Sequence, residues 1–261
     1  MILLVHGDRE YLRAPGGELH TDLGVVDIPE DVAAGDVLES HIGESFVVRE
    51  PRGPDLFNHF ERTGAPMMPR DVGLIVGHTG ACAADRVLDA GTGTGVLSAY
   101  LGRMGADVTT YERDPDFADV ARENMDLAGV ADHVDVRTGD VTDHLDDLSK
   151  SAADAGDEDD DDATGSTDDG QGFDLLTLDT QNAPAVVARA PDLLVSGGYV
   201  AVYSPFVENS RKSVEAAREA GLVAVETLET IQREMDFGDR GSRPSTAGVG
   251  HTGYLTFARY E

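Results

Sequence analysis

The sequence predicts a doubly wound α/β sheet preceded by a small β-rich domain. Three observations carry this prediction. From residue 86 apolar runs of strand length alternate with segments of helical period. A bare glycine loop, "AGTGTGVLS" (90–98), joins the first of these strands to the first helix. Residues 1–58 hold only short apolar or alternating segments separated by glycine- and proline-containing turns.

In the N-terminal part the expected strands are Met1–Val5, Tyr11–Arg13, Gly24–Ile28, Asp36–Glu39 and Ser45–Arg49, expected to pack in a barrel-like way. Pro51-Arg-Gly-Pro54 marks the boundary of this domain near residue 58, and residues 59–261 form the larger one. A proline-broken stretch then leads into a helix starting near Arg70. Arg86–Asp89 reads as the first strand of the main sheet, and Val96–Met104 as its first helix. The second strand is Asp107–Glu112. Asp114-Pro115 then supplies an N-cap with proline at the first helical position, and Gly129 stops that helix. The third strand is Val134–Asp140, the fourth Phe173–Leu178 and the fifth Gly198–Tyr203. After a helix from about Glu208 to Ala220, strands Val223 to about Phe237 and His251–Tyr260 bring the number to seven.

The glycine loop points to a nucleotide-like ligand, because residues without side chains let such a molecule approach a helix start. Its spacing departs from the dinucleotide fingerprint: counting from Gly91, the third glycine position is Val96. The pattern instead is acid-x-Gly-x-Gly-x-Gly, with Asp89 ahead of Gly91, Gly93 and Gly95. A carboxylate there repels a pyrophosphate and pairs with a cationic amino group. S-adenosylmethionine has that group and no phosphate. Glu112, closing the second strand, can accept hydrogen bonds from both ribose hydroxyls. Asp140 follows the same way at the third strand.

A formal charge of −30 on a chain that is 40% hydrophobic belongs on the surface of a folded protein. Lys150 and Lys212 are the only lysines, a usage like that of proteins from salt-in halophiles. Nine acidic residues and no basic one lie between Asp154 and Asp169, so residues 150–170 are expected to be a disordered, solvated insertion. That run lacks the spacing of a calcium loop, and no metal site is expected. Cys82 is the single cysteine; it excludes an intrachain disulfide, fits a reducing cytoplasm and is expected to be a small buried residue. No apolar run is long enough to span a membrane, and no secretory signal pattern opens the chain.

Four segments together resemble the tRNA (adenine-N1)-methyltransferase family acting on T-loop adenines: "RTGAPMMPRD" (62–71), "LDAGTGTGVLS" (88–98), "YSPFVENSRKSVEA" (203–216) and "GHTGYLTFAR" (250–259). The last, preceded by Arg243-Pro244, is the most specific. The resemblance implies a class I, Rossmann-like methyltransferase sheet, S-adenosylmethionine as donor, a homotetramer, and, in archaeal members, two adjacent target adenines. It implies that Gly91 to Leu97, including Gly93, Thr94, Gly95 and Val96, hold the methionine portion, Glu112 the ribose and Asp140 the adenine end. Asp179, closing the fourth strand, is then the catalytic acid and also borders the cofactor. Where the family follows this acid with a proline-rich segment ending in a large residue, this chain has Thr180-Gln-Asn-Ala-Pro184 and no tryptophan anywhere. Tyr203 is therefore expected to supply the aromatic wall for the base. Arg233, Arg240 and Arg243, with His251, are the candidate tRNA contacts, although Glu229, Glu234, Asp236 and Asp239 could equally pair with the arginines. The rival readings are a methyltransferase of isoaspartyl protein or a small molecule, a nicotinamide oxidoreductase, and a tRNA-binding protein with weakened catalysis.

Overall fold

The computed structural model describes residues 1–153, 172–248, 250 and 253–261. The acidic run at 154–171 and His251 lie outside the described residues, so the expectations attached to them are not addressed by it.

Of the expected N-terminal strands, β1 (Ile2–His6), β2 (Arg9–Arg13), β4 (Gly24–Asp27), β5 (Val37–Glu39) and β6 (Ser45–Arg49) form; β3 (Glu18–Thr21) is additional. They make an antiparallel sheet of order β2-β1-β6-β5 and a β3-β4 hairpin, bridged by Val26 and Ser40, instead of a closed barrel. The unbroken apolar run of β1 has a packing reason. Ile2 and Leu4 enter a small core with Leu19, Val26, Phe46 and Val48, while Leu3 and Val5 face the main core. Helices α1 (Gly53–His59) and α2 (Pro69–Thr79) connect this region to the main sheet.

The main sheet has seven strands. Its first half is β7 (Arg86–Ala90), α3 (Val96–Met104), β8 (Asp107–Glu112), α4 (Pro115–Ala128) and β9 (Val134–Thr138). A 3₁₀ turn, Val141–Asp143, and α5 (Leu145–Ala153) follow. The second half is β10 (Phe173–Leu178), α6 (Ala183–Val187), α7 (Ala190–Leu193), β11 (Leu194–Ser204), α8 (Val207–Glu219), β12 (Val223–Glu229) and, after a hairpin of β13 (Met235–Gly238) and β14 (Gly241–Pro244), β15 (Tyr254–Arg259). The order is β12-β15-β11-β10-β7-β8-β9, with β15 antiparallel to both neighbours. Alternate residues feed two cores: Val87 and Leu175 face α3 and α4, Leu88 and Leu176 face α6 and α8. Because β7 and β10 lie side by side, the order reverses between them, and the crevice beyond their carboxyl ends is where such sheets bind ligands.

Three expectations need correction. The sixth strand stops at Glu229 instead of reaching Phe237, because its partner β15 ends at Tyr254 and offers no ladder beyond that pair. The chain leaves the sheet after Glu229 and forms the exposed β13–β14 hairpin, whose turn is Asp239-Arg240. The third strand ends at Thr138, and Asp140 caps the 3₁₀ turn beyond it by accepting the Thr142 N–H at 3.0 Å. Cys82 is exposed, not buried. It lies in the short connection between α2 and β7, where its thiol donates to Asp85 at 3.5 Å, and that carboxylate pushes its pKa up.

Asn124 on α4 was not legible as a structural residue, yet it anchors the segment that crosses the glycine loop. Its amide accepts from Glu61 N–H at 3.1 Å and donates to the carbonyls of Glu61 (3.0 Å) and Thr94 (2.9 Å). Replacing it leaves buried backbone groups without partners. Asn124→Ala is expected to lower stability by about 2 to 3 kcal/mol in chemical denaturation; an unchanged midpoint would show that this clamp is dispensable.

Candidate active site

The glycine loop is bare for reasons of contact. Gly91 has φ +91°, and a Cβ built on it would lie 2.1 Å from the Asp179 carbonyl oxygen. Only glycine lets the ends of β7 and β10 meet there. Gly95, at φ +80°, turns its Cα toward Met125, whose methyl a Cβ would meet at 2.5 Å. Gly93 is different: nothing lies within 3.8 Å of an added Cβ, and its N–H donates to Glu112 Oε2 at 2.9 Å. Thr94 is buried, and its Oγ1 accepts weakly from Thr63 N–H at 3.4 Å. Val96 and Leu97 open α3 as buried core residues.

Four acids surround this loop. Asp89 is buried beneath it and accepts three hydroxyl bonds: from Thr110 and Thr177 at 2.6 Å each and from Ser98 at 3.0 Å. Burial raises its pKa, while those hydroxyls oppose the shift. Glu112 accepts from Gly93 N–H and from Asp114 N–H at 3.0 Å, one bond to each oxygen. Asp140 accepts from Thr142 Oγ1 at 2.7 Å and from Asn182 Nδ2 at 2.7 Å. Partial burial works against its charge, but these donors win and hold its pKa below the usual range. Asp179 is the exception: no protein donor among the described residues reaches its carboxylate. Desolvation, with the charges of Asp89 and Glu112, raises its pKa to about 7.

Two cavities meet at Asp179. The first, about 290 Å³, lies between the loop and the ends of β8 and β9 and is bordered by Gly91, Gly93, Glu112, Asp140 and Asp179. The second, about 630 Å³, extends from Asp179 toward Tyr203, Phe206, Asn209 and Lys212. Asp179, Thr180 and Gln181 border both. A narrow recess of about 40 Å³ under residues 65–67 reaches Asp89, Thr94, Val96 and Leu97. Arg113 is the one cationic residue of the first cavity. Carboxylates on several walls and a glycine loop without a phosphate-binding lysine or arginine fit a cationic nucleoside and oppose a pyrophosphate.

The remaining candidates divide. Tyr203 is half-buried and lines the second cavity, its ring so close to Gly253 that a Cβ there would sit 2.6 Å from Tyr203 Cζ. Arg233, Arg240 and Arg243 are exposed on or beside the hairpin and line neither cavity. Arg243 lies 3.9 Å from Asp236, a loose surface pair. Sequence reasoning missed Asn182, the three hydroxyls on Asp89, and the rim residues Phe206 and Lys212; only the bias toward arginine, which makes Lys212 conspicuous, could have signalled any of them.

The fold and this crevice define a class I S-adenosylmethionine-dependent methyltransferase. A methyltransferase domain model matches residues 87–155. A Methanocaldococcus jannaschii protein named tRNA (adenine(57)-N(1)/adenine(58)-N(1))-methyltransferase TrmI is 34% identical over 97% of this chain and 92% of its own length. Among solved structures, a tRNA (m1A58) methyltransferase TrmI from Aquifex aeolicus superimposes with a TM-score of 0.67 at 22% identity, covering 99% of this chain and 95% of the other. An S-adenosylmethionine-dependent O-methyltransferase from Thermotoga maritima gives 0.72 at 23% identity, covering 99% and 92%; at such identities both show the fold alone. The chain belongs to the tRNA (adenine-N1)-methyltransferase family.

The raised pKa of Asp179 is also a stability statement. Its folded value of about 7 exceeds the unfolded carboxylate value of about 3.9, so the folded state binds the extra proton between them and loses stability as pH rises through that window. Asp179→Asn removes the titration. Its melting temperature is expected to match wild type near pH 4 and to exceed it increasingly up to pH about 7 and above. A constant difference at all pH values would show that Asp179 titrates as an ordinary carboxylate.

Proposed function

We propose that the protein transfers a methyl group from S-adenosylmethionine to N1 of an adenine in the T-loop of tRNA, giving 1-methyladenosine. The observation that carries this reading is the carboxylate of Asp179, free of protein donors among the described residues and bordering both cavities. The first cavity takes the donor: Gly91 and Gly93 border its methionine portion, Glu112 its ribose and Asp140 its adenine end. Asp89, held by three hydroxyls, presents its charge to the amino group from beneath the loop. The second cavity takes the target base, with Tyr203 as its inner wall.

When bound, S-adenosylmethionine supplies an electrophilic methyl group carried on a sulfonium. Asp179 accepts a hydrogen bond from the adenine 6-amino group, which orients the N1 lone pair along the line of transfer. As N1 gains its fourth bond, positive charge develops on the ring. The carboxylate, desolvated on the wall between the cavities, stabilises that charge and can hold the amino proton. Asn182 keeps Asp140 in place through its 2.7 Å bond, so the segment after Asp179 ties the donor pocket to the catalytic acid.

Several features belong to the same proposal. Arg233, Arg240 and Arg243 meet tRNA phosphates away from the base pocket. A homotetramer is supported by Ile231 and Phe237, 67% and 79% exposed on the projecting segment, which an isolated chain leaves in water. The 1–58 region is a small β domain attached to the 59–261 methyltransferase domain. The action is cytoplasmic, where tRNA is found, and no helix among the described residues is long and apolar enough to cross a membrane. The target is one or both of two adjacent adenines, as in the name of the Methanocaldococcus relative.

Nucleoside mass spectrometry of unmodified tRNA incubated with protein and donor is expected to show 1-methyladenosine; methyl transfer to isoaspartyl peptide and none to tRNA would overturn the reading. Asp179→Ala is expected to slow single-turnover formation of the product roughly 10²- to 10⁴-fold, with donor affinity falling much less than the rate. Wild-type chemistry in that variant would remove Asp179 from the reaction. Glu112→Ala is expected to weaken donor binding by roughly 1.5 to 3 kcal/mol in calorimetry, and unchanged affinity would refute the ribose assignment.

A further inference from the structure

The rim of the second cavity carries two residues that the reaction at Asp179 does not use. Phe206 is 68% exposed, unusual for a phenylalanine, yet its backbone is fixed. Its N–H donates to Ser204 Oγ at 3.2 Å, and its carbonyl accepts from Ser204 Oγ at 3.0 Å and Ser210 Oγ at 3.4 Å. Both serines are buried. The ring is thus an apolar plate carried in water by an anchored backbone at the start of α8. Lys212, two turns into that helix, lines the same cavity and is one of only two lysines in a chain with 50 acidic residues. Glu208, one turn before it, forms no ion pair with it, and no other described acid does. An exposed aromatic face on an anchored backbone, with an ammonium that no described acid pairs, both lining one cavity, matches what a single-stranded nucleic acid presents: a base to stack and the phosphate attached to it.

We propose that Phe206 stacks on the base of the nucleotide adjoining the target adenine while Lys212 meets the phosphate between the two. The inference rests on the tRNA reading above and adds to it the residues that hold the splayed-out strand. Tyr203, half-buried on Gly253 beside Asp179, occupies the inner position, so the target base takes that wall and the outer plate is left for its neighbour. The pair also answers an electrostatic problem. A protein of formal charge −30 repels RNA at long range, and this cavity places a cation that pairs with no acid among the described residues where the strand must enter. The smaller, non-aromatic Thr180-Gln181-Asn182 segment makes no such plate.

The test uses the full-length protein, S-adenosylhomocysteine and an unmodified T-arm RNA hairpin, with binding read by fluorescence anisotropy across a KCl series. Phe206→Ala is expected to weaken RNA binding by roughly 10- to 100-fold, and Phe206→Tyr to restore most of it. With hairpins made abasic at one or other nucleotide flanking the target, one of the two should abolish the difference between Phe206→Ala and wild type. Lys212→Gln should reduce the slope of log affinity against log salt by about 0.7 to 0.9, the share of one phosphate. Melting temperature and S-adenosylhomocysteine affinity should be unchanged in all variants. Wild-type RNA affinity in Phe206→Ala, a loss that persists equally on both abasic hairpins, or an unaltered salt slope in Lys212→Gln would overturn the proposal. A wild-type protein that binds no T-arm RNA would instead sink the reading on which it rests.

Discussion

A carboxyl group buried in the middle of the sheet organises everything around it. Asp89 on β7 takes hydroxyl donors from its register partners on both sides, Thr110 on β8 and Thr177 on β10, and from Ser98 one turn into α3. Moving a carboxylate out of water costs several kcal/mol unless donors satisfy it. Here the two neighbouring strands and a helix provide them. The arrangement fixes the lateral register at the switch point, where a slip by one residue would turn each hydroxyl to the other face and strand the acid without a partner. It also sets the sign of the crevice. Glu112 and Asp179 lie close enough for their charges to be felt along with that of Asp89, and Asp179, which no donor among the described residues reaches, has its pKa raised to about 7.

The same crowding explains the geometry of the wall between the cavities. Gly91 must be glycine because the backbone of Asp179 presses against its Cα, and that contact is what places the Asp179 carboxylate beside the glycine loop. Asp179 N–H donates to Ala90 O at 2.8 Å, continuing the β7–β10 ladder to the very end of the strand. Beyond it, Asn209 Nδ2 reaches the Thr180 carbonyl at 3.3 Å and Asn182 reaches Asp140, so the turn after the acid is held on one side by α8 and on the other by the β9 end. Small polar residues at 180–182 do this work by hydrogen bonding, where a bulky apolar residue would do it by packing.

Much of this was legible because its cause is local. The β7–loop–α3 unit follows from a buried run, three glycines and a helical period; Glu112 and Asp140 follow from their places at strand ends, and Asp179 from the family resemblance. Features whose causes lie across the fold were not legible. The hydroxyl trio around Asp89 is spread over residues 98, 110 and 177, and no spacing connects them. The alternation after Glu229 continues through Ile231, Met235 and Phe237 as a strand would, but a strand needs a partner, and β15 supplies none there. β3 escaped notice because Leu19 is its only buried side chain. Phe206 and Lys212 read as ordinary residues of an amphipathic helix start, and only the cavity they border separates them from solvated surface.

The central proposal is that the acids of this crevice, including Asp179 with its pKa raised to about 7 by desolvation and by the charges of Asp89 and Glu112, favour a cationic donor by charge. S-adenosylmethionine carries one positive charge more than S-adenosylhomocysteine, and the most direct measurement compares the two by calorimetry from pH 5.5 to 8.5. Binding the cation draws Asp179 into its ionised form and releases a proton, so affinity for S-adenosylmethionine should rise with pH and level off above about 7, while affinity for the neutral product stays nearly flat. Equal pH dependence for both ligands, or tightest binding of S-adenosylmethionine at the acid end, would contradict the account.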